Sequence, residues 1–354
     1  MLEVYQALAR RMECPHALVP ELKVVVPPRD APFVLYCAGE DWVEAGRLAH
    51  AFHVGPSEAA GILEYLFRRG SLARRQRTGT AVPAFEYHAN EFYPVLLRQL
   101  GEGRLGHVAR ASLDRLREYC FARRLDVTDR FLKQGQLTAS SEVFPVEQAF
   151  AAHQHPHPGE TTVIAGVDAR RLVAEASAVQ LLPCTCRLTY QRCDKPLETC
   201  LTLGAYAEEY RARGVGREVT PPQAAQILRI ADSEGLVHLM VQKPGDRPFA
   251  LCSCCSCCCH DLRALLQNGR TSWVRKAAWV ARTDAHKCAA CGTCTVRCVF
   301  GARKIEGDGL IVDVDKCYGC GLCVTACPQE AISLAARASS ALGRSAGPAG
   351  ACGR

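Results

Sequence analysis

The stretch Cys288-Ala289-Ala290-Cys291-Gly292-Thr293-Cys294-Thr295-Val296-Arg297-Cys298 is answered by Cys317-Tyr318-Gly319-Cys320-Gly321-Leu322-Cys323-Val324-Thr325-Ala326-Cys327-Pro328, so one cysteine spacing occurs twice. Each run returns a thiol every third residue. A tight loop can therefore aim three thiolates at one small site, and the fourth must come from elsewhere in the chain. Between the runs, residues 302–306 and 310–314 read as apolar-alternating strands joined across Gly307-Asp308-Gly309, a strong hairpin signal. With strands expected at 280–283 and 331–334, the segment reads as a duplicated strand–loop–helix–strand unit. Zinc ribbons use two separated CxxC knuckles, unlike four cysteines packed into eleven residues.

On these residues the segment resembles the two-cluster bacterial ferredoxins, which work as electron carriers or as relay domains built into larger proteins. The resemblance implies two 4Fe-4S clusters. In that family the last cysteine of each run serves the other cluster, which implies Cys288, Cys291, Cys294 and Cys327 for one cube and Cys317, Cys320, Cys323 and Cys298 for the second. One departure is that Val299 follows Cys298, where the second run has Pro328 after Cys327.

The ferredoxin-like part is a minority of the chain. A length of 354 residues with 48% apolar content can bury a substantial core and suits two or three domains. Twenty-two cysteines would suggest disulfides in a secreted protein. Residues 1–20, however, carry Arg10, Arg11 and Glu13 and lack the apolar core of a signal peptide. No stretch approaches the roughly eighteen apolar residues of a membrane span, so a cytoplasmic protein with reduced, metal-binding thiols, protected from oxygen in an anaerobic setting, is expected. The formal charge of +7 counts every cysteine as neutral. A cube with four thiolates carries about −2, so two cubes leave roughly +3 and a third roughly +1. The basic balance is thus no evidence for nucleic acid.

In the N-terminal third, residues 42–53 have apolar positions at helical spacing, and Val54-Gly55-Pro56-Ser57 interrupts them. Ser57 is the expected cap of a second helix over 58–69, with Gly70 as its terminator. Residues 72–77 and 81–87 then flank Thr78-Gly79-Thr80 as a hairpin, giving the order of a winged helix. Arg68, Arg69, Arg74, Arg75 and Arg77 cluster where such a module would meet phosphates. The competing reading is a docking or scaffold module whose basic residues complement a helix dipole. Residues 91–134 read as helical, with Leu96, Leu97, Leu100, Val108, Leu113, Leu116 and Tyr119 as core.

The middle of the chain has a second concentration of cysteine. Leu182-Pro183-Cys184-Thr185-Cys186-Arg187 is followed by Cys193-Asp194-Lys195-Pro196 and Cys200-Leu201, a density that indicates a metal site. Zinc satisfies four thiolates here as well as iron–sulfur does, and association with the downstream runs favours iron–sulfur. Thr220-Pro221-Pro222-Gln223 starts a helix with a capping box, ending near Gly235, and a strand over 236–241 leads to Cys252-Ser253-Cys254-Cys255-Ser256-Cys257-Cys258-Cys259-His260. Six cysteines in eight positions have no packing rationale. Adjacent ones point different ways and cannot all reach one cube. We expect Cys184, Cys186, Cys193 and Cys200 to form a third metal site, with the loop contributing to it or holding a fourth; two thiolates from each segment is the alternative. Arg187 and Lys195 would lie beside that site, or be ordinary surface charge. His153-Gln154-His155-Pro156-His157-Pro158 reads as a solvated linker, His238 and His260 as hydrogen-bonding neighbours, and Cys14, Cys37, Cys120 and Cys352 as free thiols.

The Pro-Cys-x-Cys-Arg, Cys-Asp-x-Pro and Cys-Leu elements at 183–201, the Gly-Leu-Val-His at 235–238, the cysteine-packed loop at 252–259 and the C-terminal unit together resemble a group of 4Fe-4S-binding proteins of anaerobic bacteria and archaea. The group implies electron transfer and leaves the partners undefined. The expected architecture is α+β: a winged-helix-like part at 1–90, a helical linking region at 91–180, a cysteine-rich metal-binding part at 181–275, a two-cluster ferredoxin-like domain at 276–336 and a disordered tail at 337–354. The expected function is an iron–sulfur relay between redox partner proteins. Its alternatives are a redox-responsive DNA-binding regulator and an iron–sulfur reductase subunit. No Gly-rich nucleotide loop or substrate site supports the enzyme reading.

Overall fold

The computed structural model describes residues 1–78, 84–151, 169–245 and 247–337. The histidine-rich segment at 153–158, the hairpin tip at 79–83, Cys352 and the tail beyond 337 lie outside them. Helices and strands mix throughout, as the α+β reading expects.

The N-terminal part is built from α1 (Leu2–Arg11), α2 (Val19–Val25), α3 (Ala31–Gly39), α4 (Ala45–Phe52), α5 (Pro56–Arg68), the antiparallel hairpin of β1 (Leu72–Gln76) and β2 (Phe85–Ala89), α6 (Phe92–Gly101) and α7 (Arg110–Lys133). The helix, turn, helix, hairpin order is present, and Val43 bridges to Tyr87 on the hairpin. The start of α5 corrects the expected cap: Gly55 holds the cap position and Pro56 the first helical one, since a proline there sacrifices a backbone N–H that has no helical partner in any case. Apolar side chains at helical spacing, among them Leu8, Val34, Leu48, Leu63 and Leu66, close one core. That core runs past residue 90 through Phe92, Leu96, Leu100 and Leu116.

A seven-stranded sheet forms the middle. Its strands are β3 (Ser141–Phe144), β4 (Val179–Pro183), β5 (Glu198–Leu203), β6 (Arg217–Glu218), β7 (Val237–Lys243), β8 (Arg247–Cys254) and β9 (Val274–Arg275), in the order β6-β4-β5-β8-β7-β3-β9. All neighbours are antiparallel except β3 and β9. Helices α8 (Gln148–Ala151), α9 (Ala169–Glu175), α10 (Thr185–Tyr190), α11 (Ala205–Ala212), α12 (Pro221–Ser233) and α13 (His260–Asn268) connect and cover it. The expected capping box of α12 is in place, with the Thr220 side chain on the backbone of Gln223 and the Gln223 side chain on the backbone of Thr220.

Successive side chains of a strand point to opposite faces, and this gives the sheet two chemically different sides. Leu181, Leu201, Leu203 and Leu251 pack with Ala224, Ile227 and Leu228 on one side. Cys200 lies directly opposite Cys252, and Cys254 follows two residues later, on the other. Burial on both sides explains why β5 and β7 are almost continuously buried despite their polar members.

The C-terminal part contains β10 (Trp279–Thr283), α14 (Thr293–Arg297), β11 (Arg303–Glu306), β12 (Gly309–Val312), α15 (Leu322–Thr325) and β13 (Ile332–Ala336). β10 pairs with β13, and β11 with β12 around Gly307-Asp308. The duplication extends to the backbone. Positive φ occurs at Ala290 and Gly319, at Gly292 and Gly321, and at Gly301 and Glu330, each pair 29 residues apart like the cysteines themselves. This part packs on the thiol side of the sheet: Trp279, Cys317, Cys320, Cys323 and Leu334 share one core with Val237, Leu239, Cys254, Cys259 and Leu262.

Candidate metal centres

The two cysteine runs form two concavities. Cys288, Cys291, Cys294 and Cys327 line one of about 330 Å³ with Ile305, Leu310 and Ile332. Cys298, Cys317, Cys320 and Cys323 line the other, of about 360 Å³, with Phe300, Tyr318 and Val312. The grouping follows from the fold: antiparallel pairing of β10 with β13 brings the start of the first run beside the end of the second, and the β11–β12 hairpin brings the end of the first beside the start of the second. No carboxylate or imidazole lines either concavity, so the donor sets are soft and suit iron–sulfur chemistry over hard cations. Burial pushes the Cys320 thiol up, and Cys323 up to about 11, with the neighbouring thiols adding to both. A bound metal must displace those protons.

The middle cysteines divide differently from the expected set. Cys193 does not join Cys184, Cys186 and Cys200. Its thiol lies 3.7 Å from Cys255, and the sulfurs of Cys193, Cys255, Cys257 and Cys258 all lie within 4.8 Å of one another. The four-thiol set of Cys184, Cys186, Cys193 and Cys200 is thereby corrected. The physical reason is local: α10 turns the chain after Cys186, and Gln191 ends it with a left-handed residue at φ 50°, which carries Cys193 away from the sheet face.

The other six form a ring. In order, Cys184, Cys186, Cys259, Cys254, Cys252 and Cys200 are thiol neighbours, and Cys200 closes back on Cys184. Cys200, Cys252 and Cys254 come from the sheet face. Cys184 stands at the start of α10 and Cys259 at the start of α13, with Cys186 in the first turn of α10. Interaction with the neighbouring thiols lowers Cys184, Cys252 and Cys259 and raises Cys186, Cys200 and Cys254.

Arg187 stands between the two groups. It is 2% exposed and donates to the carbonyl of Ser253 at 3.0 Å and to the Thr199 hydroxyl. Its charge acts on Cys184 and Cys200 of the ring and on Cys255 of the four-thiol group. Lys195 instead pairs with Glu234 at 3.2 Å, with both residues half-buried. The imidazole Nδ1 of His260 lies 3.3 Å from the Cys186 sulfur and its Nε2 2.8 Å from the Tyr190 hydroxyl. Burial, with Arg124 and Arg263 nearby, lowers its pKa to about 3, so the ring is neutral. His238 is turned to the far side of the sheet, bridging Ser253 Oγ at 3.1 Å and Asp232 Oδ1 at 2.6 Å. Ser253 is thus a spacer by the strand's alternation, and its hydroxyl serves His238. The thiols of Cys14, Cys37 and Cys120 lie outside these groups, and burial pushes each up to about 12.

The five arginines of the N-terminal part are paired. Arg68 and Arg74 meet Glu64 at 3.0 and 2.8 Å, Arg69 meets Asp30 at 3.7 Å, Arg75 meets Glu86 at 2.9 Å and Arg77 meets Glu44 at 2.5 Å. The buried Arg213 of the middle part donates to the Phe67 carbonyl at the end of α5.

Residues 310–333 match a family model described as a 4Fe-4S binding domain. That match contains Cys317, Cys320, Cys323 and Cys327. No curated protein and no solved structure matches the chain. The chain therefore carries a 4Fe-4S binding domain at its C-terminal end and a cysteine-rich region upstream. Among the described residues no helix is long and apolar enough to cross a membrane.

Proposed function

We propose that the chain is an iron–sulfur electron-transfer protein that relays electrons between two C-terminal 4Fe-4S clusters and a further centre held by the six-thiol ring. The clusters supply one-electron chemistry when bound. Cys288, Cys291, Cys294 and Cys327 hold one, and Cys298, Cys317, Cys320 and Cys323 hold the other. The observation that carries the reading is the shared core: Cys254 and Cys259 of the ring lie in the same apolar cluster as Cys294, Cys317, Cys320 and Cys323. A dry, closely packed interior between thiol sites excludes water and keeps both ends fixed.

A polar link runs in parallel. Arg297, the residue before Cys298, donates to the carbonyls of Asp232 and Ser233 at 2.7 and 2.8 Å. Asp232 holds His238, His238 meets Ser253, and the Ser253 carbonyl accepts from Arg187. These contacts fix the C-terminal part against the sheet. The pairing of all five N-terminal arginines, and the docking of Arg213 on α5, favour a relay over a DNA-binding regulator.

The test is a count of iron and acid-labile sulfide on protein purified without oxygen. About eight irons per chain belongs to the ferredoxin pair alone, and twelve or more is expected if the ring holds a further iron–sulfur cluster. A count of eight would remove the third centre from the relay.

A further inference from the structure

Cys193, Cys255, Cys257 and Cys258 are left over once the ring and the C-terminal runs have their thiols. The geometry points to a mononuclear site here: we infer that these four thiolates bind one thiophilic ion, zinc or iron, without inorganic sulfide. Size decides it. Four sulfurs around one ion at about 2.3 Å stand about 3.8 Å apart at the corners of a tetrahedron. Thiolates of a cube each take a separate iron, and so stand farther apart. Here Cys193 and Cys255 are 3.7 Å apart, Cys257 and Cys258 3.8 Å, and no pair exceeds 4.8 Å.

The set is also closed. The thiol neighbours of Cys255, Cys257 and Cys258 are one another and Cys193, and none belongs to the ring. Four thiolates on a divalent ion leave a net charge of about −2. The surroundings meet that charge with the buried Arg187 guanidinium, whose charge acts on Cys255. A fixed cation beside thiolate ligands moderates their charge. Ser256, between the ligands, gives the turn that lets Cys255 and Cys257 face one point. The site ties residue 193 to the 255–258 loop and so anchors both segments that feed the ring. It stands independently of whether the ring holds a cluster.

Zinc, iron and acid-labile sulfide are measured on the full chain purified without oxygen, and on Cys257→Ser and Cys193→Ser. Wild type is expected to hold about one zinc per chain, or about one iron beyond those matched by sulfide. Each variant should lose that ion roughly fivefold or more, with sulfide content unchanged. Loss of about four irons with as many sulfides would assign these thiols to a cube, and unchanged metal in both variants would leave them without an ion. Either result overturns the inference. So does wild type with neither zinc nor surplus iron, whatever the variants' stability.

Discussion

Arg187 is the residue on which the middle of the molecule turns. A buried guanidinium is costly unless its charge and donors are satisfied; here two of its nitrogens donate to the Ser253 carbonyl and the Thr199 hydroxyl, and its charge faces Cys184, Cys200 and Cys255. A fixed positive charge next to a metal–thiolate centre stabilises its reduced state. Arg187→Met keeps the bulk and removes the charge. The potential of the proposed middle centre should fall by roughly 60 mV, a tenfold change in a one-electron equilibrium, while the proposed C-terminal centres hold theirs. Anaerobic redox titration followed by electron paramagnetic resonance measures both, and a middle potential that stays or rises would remove Arg187 from this role. At this scale the sequence was readable in part. Cys252-Ser253-Cys254 alternates as a strand must, so two of its thiols share a face. The parting of Cys193 from Cys186 was not readable, because it depends on how far α10 runs before Gln191 turns the chain.

At the level of elements, the repeat in the C-terminal part was legible because the same loop geometry demands the same spacing twice. Gly319 shows how strict that geometry is. It has φ +76°, and a Cβ there would lie 2.1 Å from the Trp279 carbonyl oxygen on β10. Positive φ alone costs of order 1–3 kcal/mol in a residue with a side chain, and the oxygen belongs to backbone that cannot swing aside. Gly319→Ala should therefore destabilise the loaded protein by about 3 kcal/mol or more in thermal unfolding and loosen the cluster of the 317–323 run. The equivalent position in the first run, Ala290, carries a side chain at φ 49°, so its loop has the room that the second lacks. A Gly319→Ala protein as stable as wild type would contradict the close approach. The seven-stranded sheet was illegible by contrast. Its central neighbours β5 and β8 are separated by α11, β6, α12 and β7 in the chain, and no local pattern encodes a pairing made across such a distance.

For the whole molecule, the question is whether the basic N-terminal part faces nucleic acid or the rest of the chain. Five arginines near α5 and β1 meet four carboxylates, Glu64, Asp30, Glu86 and Glu44. The patch therefore carries little net charge, and net local charge drives non-specific association with DNA. The C-terminal end of α5 is also engaged, since Arg213 caps the Phe67 carbonyl, and Arg98 of α6 reaches Glu209 at 3.3 Å. Individual surface ion pairs are weak, roughly 0–1 kcal/mol each, so pairing alone would not keep phosphates away. Docking of the helix end on the middle part adds the steric term. Fluorescence anisotropy with labelled duplex DNA should then show no salt-dependent binding at about 50 mM salt, where a protein neutralising six to ten phosphates gains about 10³–10⁵ in affinity over 200 mM. A steep fall in affinity with salt, removed by replacing Arg68, Arg74 and Arg75 with alanine, would show that the ion pairs open for phosphate. That result would return the clusters to the role of sensor and the N-terminal part to that of reader.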